Sequence, residues 1–556
     1  MFDQVGDTLS VVVAAKNSVR WIGELLESIS AQHLSFIEVI VVDNGSTDGT
    51  PEIVVAAAEV DPTIRLIRSP ATSAAAARNE GVRAANGKYL VFADSDDLVP
   101  DGAYRAMLDA LTASGSDMVI GNHFKFSSSR TWSPTERWHD FDRAMSGVSP
   151  RDFPALLAVR ACWNRMFRRS FWDSAELHFP EISSVEDIQP MTRAFASATA
   201  IDVVPSCVYL YRDRGDSSSL SIQSDAMVTV RYLEQECICA ALVRDDAALR
   251  LKHAEVVLDA DGWAHLQRFL SGSPEQAGFA VVARATRILL EAIPLDGMAN
   301  VGPLRRALWL LILGGNWTAA AAFVRGTTAG SETERIRAWL EAVALIRAAD
   351  VTAASSLVAE GVLVVLVNGA DAVDPEQLAQ HLPALRGLEL EASGSDLLVA
   401  MAEAVRVQDF RAVSAVSALR NVVPLVVDRV DATPDGLVLG GPMRSGSLPP
   451  ETSIVLESAG KDAAVASVEG AAGRWRAIIK SETCAPGRYG VVVSANGIER
   501  RFPVVTARMP LPPLAEELPM QPLADRQNGW RFLIDRRPDR KKSIGRLLRR
   551  VVRGHQ

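Results

Sequence analysis

The chain has few cysteines for its length, and none of them in a spacing that holds a metal or builds a disulfide framework. Five cysteines occur in 556 residues, and no two of them are separated by the two residues typical of a zinc knuckle. The sequence therefore predicts neither a zinc site nor a disulfide scaffold, and we expect a cytoplasmic location. The eight histidines show no ligand spacing either, and we assign none of them a role.

The sequence also has little that resembles a membrane span or an export signal. The best candidate for a span, residues 307–324, is interrupted by Gly314, Gly315 and Asn316 well short of the roughly twenty residues required. We predict two buried helices joined by a turn in this stretch. The first seven residues are acidic and lead directly into an apolar strand, so we expect no secretory signal.

The chain is acidic overall, but its end is basic. The net charge is -9, so we expect no general attraction to nucleic acid. Residues 525–556, however, carry eleven Lys or Arg against three Asp, with apolar residues on one helical face between 544 and 552. This pattern predicts a basic amphipathic helix that docks on the anionic inner face of the plasma membrane. A solubilising tail or a subunit contact is the alternative.

Four zones follow one another along the chain. Residues 1–220 alternate apolar strands with amphipathic helices, which is typical of an α/β domain with a parallel sheet covered on both faces. Residues 221–423 read as a mainly helical spacer, although 362–367 looks like a strand. Residues 424–508 contain short β-rich runs separated by turn residues, which predicts an immunoglobulin-like β-sandwich. Residues 509–556 are a proline-rich linker and the basic amphipathic tail.

An apolar strand near residue 90 ends in a group of carboxylates. Residues 89–93 are apolar and are followed by Asp94, Asp96 and Asp97. Carboxylates placed so close together repel one another unless a cation lies between them. A divalent cation held against a diphosphate, Mn²⁺ or Mg²⁺, is the neutraliser that this pattern indicates.

Other polar residues follow neighbouring strands of the same zone. Asn17 follows the first strand and Asp43 the second, while Arg78 lies on the helix before the acidic strand end. Ligands of open α/β sheets bind at the carboxyl ends of the strands, so these residues are expected to line one crevice. A dinucleotide site is disfavoured because no G-x-G-x-x-G motif follows the first strand.

The order of these motifs resembles the nucleotide-sugar half of the GT-A, family-2 inverting glycosyltransferases over about residues 8–220. The resemblance rests on V-D-N-G-S-T-D at 42–48, A-A-R-N-E-G at 76–81 and A-N-G-K-Y-L-V-F-A-D-S-D-D at 85–97. It implies a Rossmann-like GT-A fold with Asn17 and Asp43 near the nucleoside and Arg78 near the base or diphosphate. It also implies that Asp94 and Asp96, with Asp97 beside them, hold a metal bound to UDP.

The acceptor half of the resemblance implies a catalytic base. The sequence S-S-V-E-D at 183–187 resembles the family's E-D pair at the start of a helix, which makes Asp187 the general base and Glu186 its orienting partner. The alternative is that the two residues only complement a helix N-terminus. The sequence Y-L-Y-R-D-R-G-D-S at 209–217 resembles the family's closing loop, so Arg212 or Arg214, together with Ser217, is expected to fold over the diphosphate when the donor binds.

Two features depart from the family pattern. Ala14-Ala15-Lys16 replaces the usual proline and aromatic residue before Asn17, and the loop histidine that binds metal in some relatives is missing. The order of the three zones also looks like that of bacterial wall-teichoic-acid glycosyltransferases, whose C-terminal sandwiches promote oligomerisation or polymer binding. This likeness implies a possible homo-oligomer through the C-terminal domain.

These observations predict transfer of a hexose or N-acetylhexosamine from a UDP-sugar to a cell-envelope polymer or a lipid-linked glycan. The alternatives are a capsular or exopolysaccharide glycosyltransferase and a glycan-binding scaffold that keeps the fold without turnover. The sugar and the acceptor depend on pocket shape, which no motif encodes.

Overall fold

The structure of the chain is a computed structural model. It describes residues 8–71, 73–135, 139–214, 225–272, 276–390, 392, 395–420, 425–433, 436–442, 452–458, 461–471, 473–480, 487–494, 502–506, 520–525 and 529–534. The chain divides into two compact units between Trp309 and Leu310. The domain limits read from the sequence remain predictions.

The first unit is built on a nine-stranded sheet. Its strands are β1 (Leu9–Ala15), β2 (Ile37–Asp43), β3 (Ile64–Arg68), β4 (Tyr89–Asp94), β5 (Met118–Phe126), β6 (Thr131–Trp132), β7 (Met145–Val148), β8 (Arg165–Arg168) and β9 (Ile201–Arg212). They lie in the order β3-β2-β1-β4-β8-β5-β9-β7, and β6 pairs with β5. The helices around the sheet are α1 (Ile22–Ser30), α2 (Thr50–Val60), α3 (Ala74–Ala84), α4 (Ala103–Ser114), α5 (Arg169–Ser174) and α6 (Ile188–Ser197), with 3₁₀ turns at His139–Asp142 and Pro154–Ala158.

The central strands are buried because helices cover them, as their continuous apolar runs predict. Leu9, Val11, Val12 and Val13 of β1 are fully buried. Helix α3 packs closely on β1 at Gly81, where a β-carbon added to the glycine would lie 2.4 Å from Cγ1 of Val12. The missing side chain therefore sets how closely α3 approaches the sheet.

The sheet is mixed, which corrects the prediction of a parallel sheet. Strands β1, β2, β3 and β4 pair in parallel, but β8 runs antiparallel to both of its neighbours, β4 and β5. Strand β7 is also antiparallel to β9. The chain enters β8 from the segment 159–164, which follows the 3₁₀ turn Pro154–Ala158.

Helices complete the first unit and begin the second. The first unit adds α7 (Ala226–Val243), α8 (Ala247–Asp259), α9 (Asp261–Ser271), α10 (Gln276–Ala292), a 3₁₀ turn at Asp296–Asn300 and most of α11 (Pro303–Leu313). The second contains α12 (Trp317–Thr328), α13 (Glu332–Ala349), α14 (Val351–Leu357), α15 (Leu363–Gly369), α16 (Pro375–His381), α17 (Asp396–Arg406) and α18 (Phe410–Leu419), with 3₁₀ turns at Ala370–Ala372 and Leu382–Leu385. The turn at 314–316 separates α11 from α12 as predicted.

The predicted strand at 362–367 is wrong, since these residues are helical. A π-helical turn, Val358–Val362, joins α14 to α15. Leu363, Leu366 and Val367 are buried on one side of the helix, so tertiary packing decides between helix and strand for this short apolar run. The stretch Val351–Ala372 is long and apolar enough to cross a membrane, but 44% of its most apolar window is buried in the protein, and core helices pass the same test.

The second unit ends in a largely antiparallel ten-stranded sheet. Its strands are β10 (Leu425–Val427), β11 (Arg429–Thr433), β12 (Gly436–Pro442), β13 (Ser453–Ser458), β14 (Lys461–Ala471), β15 (Arg474–Lys480), β16 (Gly487–Ser494), β17 (Phe502–Thr506), β18 (Met520–Asp525) and β19 (Gly529–Ile534). All pairs are antiparallel except β10 with β17. Every β-rich run predicted from the sequence overlaps at least one of these strands, and an immunoglobulin-like topology stays a prediction.

Three strands were not expected from the sequence. Strand β14 is the longest of the sheet and pairs with both β13 and β15. Strands β18 and β19 pair with each other, and β19 also pairs with β16. These last two strands lie where the sequence suggested a linker and a tail. Most of the basic stretch, residues 535–556, lies outside the described residues.

Candidate active site

The acidic strand end lies beside the ends of β1 and β2. In the register of the sheet, Ala15 of β1 pairs with Asp43 of β2, and Ala14 pairs with Asp94 of β4. The loops that follow these three strands therefore meet at one edge of the sheet, as the sequence predicted. Asp94 and Asp96 are half-buried there, and Asp97 is only 1% exposed.

Arg78 joins the acidic strand end to the acidic pair that precedes α6. Its Nη2 donates to Oδ1 of Asp94 at 2.7 Å, and its Nη1 donates to Oε1 of Glu186 at 2.6 Å. The guanidinium side chain is 8% exposed and also lies over the ring of Phe179, 5.4 Å from its centroid. Two segments that are about a hundred residues apart in sequence thus meet at the guanidinium of Arg78.

Two carboxylates of the strand end, Asp96 and Asp97, resist ionisation. Burial, followed by the charge of Asp94, raises the pKa of Asp96, although Arg214 opposes the shift. Burial and the charges of Asp96 and Asp94 hold the pKa of Asp97 well above its usual range. Oδ1 of Asp97 accepts the backbone N–H of Arg212 at 2.7 Å, whereas its buried Oδ2 has no partner of hydrogen-bonding geometry. Additional positive charge would stabilise this group of carboxylates.

The donor atoms at the strand end fit a hard divalent cation. Asp94, Asp96 and Asp97 offer only carboxylate oxygens, which Mg²⁺ and Mn²⁺ prefer over nitrogen and sulfur ligands. The unpartnered Oδ2 of Asp97 is a buried acceptor that such an ion would satisfy. Arg78 and Arg214 already contact Asp94 and Asp96, so cation binding would compete with these two ion pairs.

Asp187 and Glu186 stand at the start of α6. Asp187 occupies the N-cap position but makes no side-chain capping hydrogen bond, so helix capping does not account for it. Burial, and then the charge of Glu186, raise the pKa of Asp187 to about 7, while Arg78 opposes the shift. A half-buried aspartate with this pKa exchanges its proton near neutral pH, as a general base requires.

The turn before this pair is conformationally strained. Val185 has a φ of 57°, a value that β-branched residues rarely adopt. The turn directs Glu186 toward Arg78, and the ion pair between them helps to hold the unusual backbone. Strained residues persist where the surrounding structure determines them and are common at functional sites.

Asn17 and Asp43 shape the loops after β1 and β2. Asn17, with a φ of 51°, accepts the backbone N–H of Thr47 at 2.9 Å and donates its own backbone N–H to Oγ of Ser46 at 2.9 Å. The carboxylate of Asp43 is 5% exposed and accepts the N–H of Ser46 at 3.3 Å. Both side chains thus fix the loop that the sequence places near the nucleoside.

Arg212 and Arg214 lie over the acidic strand end. Nε of Arg212 donates to the backbone carbonyl of Asp96 at 2.7 Å, and its Nη2 donates to Glu24 at 2.6 Å. Arg214 forms an ion pair with the carboxylate of Asp96 and lies over the ring of Trp21, 4.7 Å from its centroid. Ser217, which was predicted to act with them, lies outside the described residues.

Sequence reasoning missed two aromatic residues of the site. The hydroxyl of Tyr209 accepts the backbone N–H of Asp94 at 2.8 Å, and the ring of Tyr209 stacks on Trp163 with centroids 4.4 Å apart. Tyr209 belongs to the quoted closing motif, which was the available signal. Trp21 carried no motif at all, although it places an aromatic ring near the strand end where the usual family tyrosine is absent.

Arg165 makes its hydrogen bonds within the segment before β8, although the charge of Asp187 also acts on it. It is 1% exposed, donates to Oδ1 of Asn164 at 2.9 Å, and contacts the backbone carbonyls of Val159 and Ala161. Its charge is directed into the segment before β8, where it holds the backbone.

Comparisons with known proteins match part of the chain. The family model "Glycosyl transferase family 2" matches residues 10–174. The succinoglycan biosynthesis protein ExoO of Rhizobium meliloti is 30% identical over 325 residues, which cover 55% of this chain and 82% of ExoO. The putative glycosyltransferase EpsH of Bacillus subtilis is 30% identical over 216 residues, covering 37% of this chain and 60% of EpsH.

Among solved structures, residues 1–349 of S. aureus TarS, crystallised with UDP-GlcNAc, align with a TM-score of 0.47 at 19% identity. The alignment covers 58% of this chain and 91% of that one. Membership of the family therefore rests on the sequence relatives and the family model. With ExoO matched over most of its length, the chain belongs to glycosyl transferase family 2 and is a glycosyltransferase with a GT-A-like α/β domain.

Proposed function

We propose that the protein catalyses inverting transfer of a hexose or N-acetylhexosamine from a UDP-sugar to an acceptor hydroxyl. One observation carries this proposal. Arg78 contacts Asp94, at the end proposed to bind the leaving group, and Glu186, beside the proposed base. A single displacement needs these two groups on opposite sides of the anomeric carbon, close enough to act together.

Asp187 acts as the general base in this mechanism. A pKa of about 7 leaves a substantial fraction of the carboxyl ionised at neutral pH and makes it strong enough to accept the proton of an attacking hydroxyl. Glu186 keeps Asp187 from ionising at lower pH and is held in place by Arg78. Attack from the side opposite the departing UDP inverts the anomeric configuration.

Asp94, Asp96 and Asp97 would hold the divalent cation. When bound, Mn²⁺ or Mg²⁺ supplies positive charge that stabilises the negative charge developing on the leaving diphosphate. Arg214 and Arg212 are near enough to the same carboxylates to donate to diphosphate oxygens, for which a guanidinium is well suited. Ser217 is proposed to join them, and Asn17 and Asp43 to contact the nucleoside.

For the acceptor we propose a cell-envelope polymer, teichoic-acid-like, or a lipid-linked glycan. A second candidate acceptor is an exopolysaccharide. ExoO, which is matched over 325 residues, is named as a succinoglycan biosynthesis protein. We further propose a cytoplasmic enzyme that docks on the inner face of the plasma membrane through residues 525–556 and self-associates through its C-terminal sheet. Flotation with anionic vesicles, with and without that tail, tests the docking, and equal binding would contradict it.

The function itself is tested by measuring UDP release from a panel of UDP-sugars with envelope extract as acceptor. We expect release by the wild type and a loss of about 10²-fold or more in Asp187→Asn, because general base catalysis contributes that much. Asp96→Asn should also lose activity, whereas the exposed control Asp101→Asn should retain it. A wild type that releases no UDP from any donor would support the scaffold alternative, and an active Asp187→Asn would rule out Asp187 as base.

A further inference from the structure

A buried ionic network lies behind the active site in the first unit. Arg160, in the segment that leads into β8, donates Nη1 and Nη2 to the two carboxylate oxygens of Glu236 on α7, at 2.7 and 2.6 Å. The two side chains are 1% and 0% exposed. This is a bidentate pair sealed from solvent.

Two further helices join this pair. Nε2 of His253 on α8 lies 2.8 Å from Oε2 of Glu236, and its side chain is 1% exposed. Nη2 of Arg160 also contacts Asp261, the first residue of α9, at 2.6 Å. Arg160 and Glu236 thus tie α7, α8 and α9 to the segment before β8.

The cluster is an ion-pair network rather than a metal site. The ligand atoms of Glu236, Cys239 and His253 lie within 4.8 Å of one another, as they would around an ion. Arg160, however, already occupies both oxygens of Glu236, and its positive charge opposes a second cation. Although burial opposes ionisation of Glu236, that same arginine and His253 lower its pKa and hold it ionised.

One connection runs from Arg160 to the acidic strand end. Cys162 and Trp163 follow Arg160 and are both buried. Trp163 stacks on Tyr209, with an interplanar angle of 14°, and the hydroxyl of Tyr209 binds the backbone N–H of Asp94. A short stretch of chain, two packed rings and one hydrogen bond thus connect Arg160 to Asp94.

A second connection runs from the same helix to the catalytic base. Cys239 lies one turn beyond Glu236 on α7, and its buried Sγ contacts the backbone carbonyl of Ile188 at 3.6 Å. Ile188 directly follows Asp187 and begins α6. Helix α7 thus contacts both the segment that supports Asp94 and the helix that presents Asp187.

Stability alone is a poor reason for such a network. Replacing a buried ion pair by well-packed apolar residues is often neutral or stabilising, because ions are costly to remove from water. Although Nε of Arg160 and Nδ1 of His253 have no hydrogen-bond partner, the forked pair fixes the geometry between the elements that it joins.

We propose that Arg160 and Glu236 are positioning residues. Through α7 they hold Asp187 and Asp94 at a fixed distance from each other. The inference rests on the function proposed above, because it assigns these residues a purpose in that reaction. Neither residue touches the reacting groups. Their contribution is to the distance between the base and the leaving-group side, and displacements of about 1 Å in such a site reduce turnover by about 10²-fold.

The double variant Arg160→Met, Glu236→Leu in the full chain separates positioning from stabilisation. Removing both charges leaves no unpaired ion of this pair, but the buried Nε2 of His253 loses its acceptor, so the variant should fold with a Tm a few degrees below that of the wild type. We expect kcat to fall about 10- to 100-fold, the fall typical of lost supporting contacts, with the donor KM nearly unchanged and the acidic limb of the kcat–pH profile displaced. Arg337→Met, Glu341→Leu, an exposed pair on α13, is the matched control and should change none of these.

A second measurement does not depend on turnover. Amide hydrogen exchange across Ile188–Ser197 should be faster in the double variant and unchanged in the control. A double variant with wild-type kcat, pH profile and exchange would overturn the positioning role while leaving the proposed function intact. A wild type without UDP release would instead remove the proposed function, and faster exchange would still support the coupling of α7 to α6.

Should the double variant fail to fold, Arg160→Lys answers the same question. Lysine keeps the charge but lacks the fork that reaches Glu236 and Asp261 together. We expect a reduced kcat and faster exchange in α6, and a variant with wild-type values for both would overturn the inference.

Discussion

Replacing Asp187 by asparagine removes a carboxylate whose ionised form the folded protein disfavours, so the variant should lose activity and gain stability. Asparagine has nearly the same shape and does not ionise. Burial and Glu186 raise the pKa of Asp187 from 3.8 to about 7. Because the folded pKa lies above the unfolded one, the native state binds more protons between about pH 4 and pH 7. The stability of the wild type therefore falls as pH rises through this window.

The magnitude follows from the size of the pKa shift. Each unit corresponds to about 1.4 kcal/mol, so an ionised Asp187 destabilises the native state by at most about 4 kcal/mol above pH 7. Its side chain is only half-buried, and solvent screening reduces this figure to about 1–3 kcal/mol. The asparagine variant lacks this destabilisation, so at pH 8 its free energy of unfolding should be higher by that amount. At pH 5 the carboxyl is protonated in the folded state but largely ionised in the unfolded state, so roughly a third of this difference is already present.

Calorimetry of both proteins at pH 5 and pH 8 measures the effect. We expect the Tm of Asp187→Asn to exceed that of the wild type by several degrees at pH 8, at about 2–4 °C per kcal/mol, and by roughly a third of that difference at pH 5. Asp101→Asn, an exposed control, should show the same small difference at both values. A lower Tm for Asp187→Asn at pH 8, or an equal shift at both pH values, would refute the reasoning.

Three further results are expected. Arg78→Met should move the acidic limb of the kcat/KM profile to higher pH, because Arg78 lowers the pKa of Asp187, and an unmoved limb would contradict that coupling. Chelation by EDTA should stop UDP release and Mn²⁺ should restore it, with Asp96→Asn requiring about 10-fold more Mn²⁺; release at full rate in EDTA would exclude the metal. In urea, Gly81→Ala should lose about 1–3 kcal/mol of stability by overpacking against Val12, whereas Gly23→Ala, whose nearest neighbour is 3.9 Å away, should lose none.

The strands that carry the proposed nucleotide-binding loops could be predicted from the sequence, because local patterns determine them. Apolar runs rich in β-branched residues predicted β1, β2 and β4, and the polar residues after them met at one sheet edge because parallel strands end together. Short apolar runs are ambiguous, however. Residues 362–367 looked like a strand and form a helix, because their neighbours bury one side of the helix.

Contacts between segments that are distant in the sequence could not be predicted. Arg78 and Glu186 are 108 residues apart, and Arg160 and Glu236 are 76 apart, so no spacing rule brings them together. Strand β14, rich in alanine and acidic residues, has weak strand propensity and forms because β13 and β15 pair with it. Sequence pattern thus identified the groups of the site, and only the fold revealed how they are joined.

The proposed reaction is a direct displacement, with Asp187 and the acidic strand end on opposite sides of the anomeric carbon. Proton NMR of the product formed from an α-linked UDP-sugar tests this most directly, because the anomeric coupling constant reports the configuration of the new bond. Direct displacement predicts a β-linked product from wild-type enzyme and about 10²-fold less of it, or still less, from Asp187→Asn. An α-linked product would contradict it.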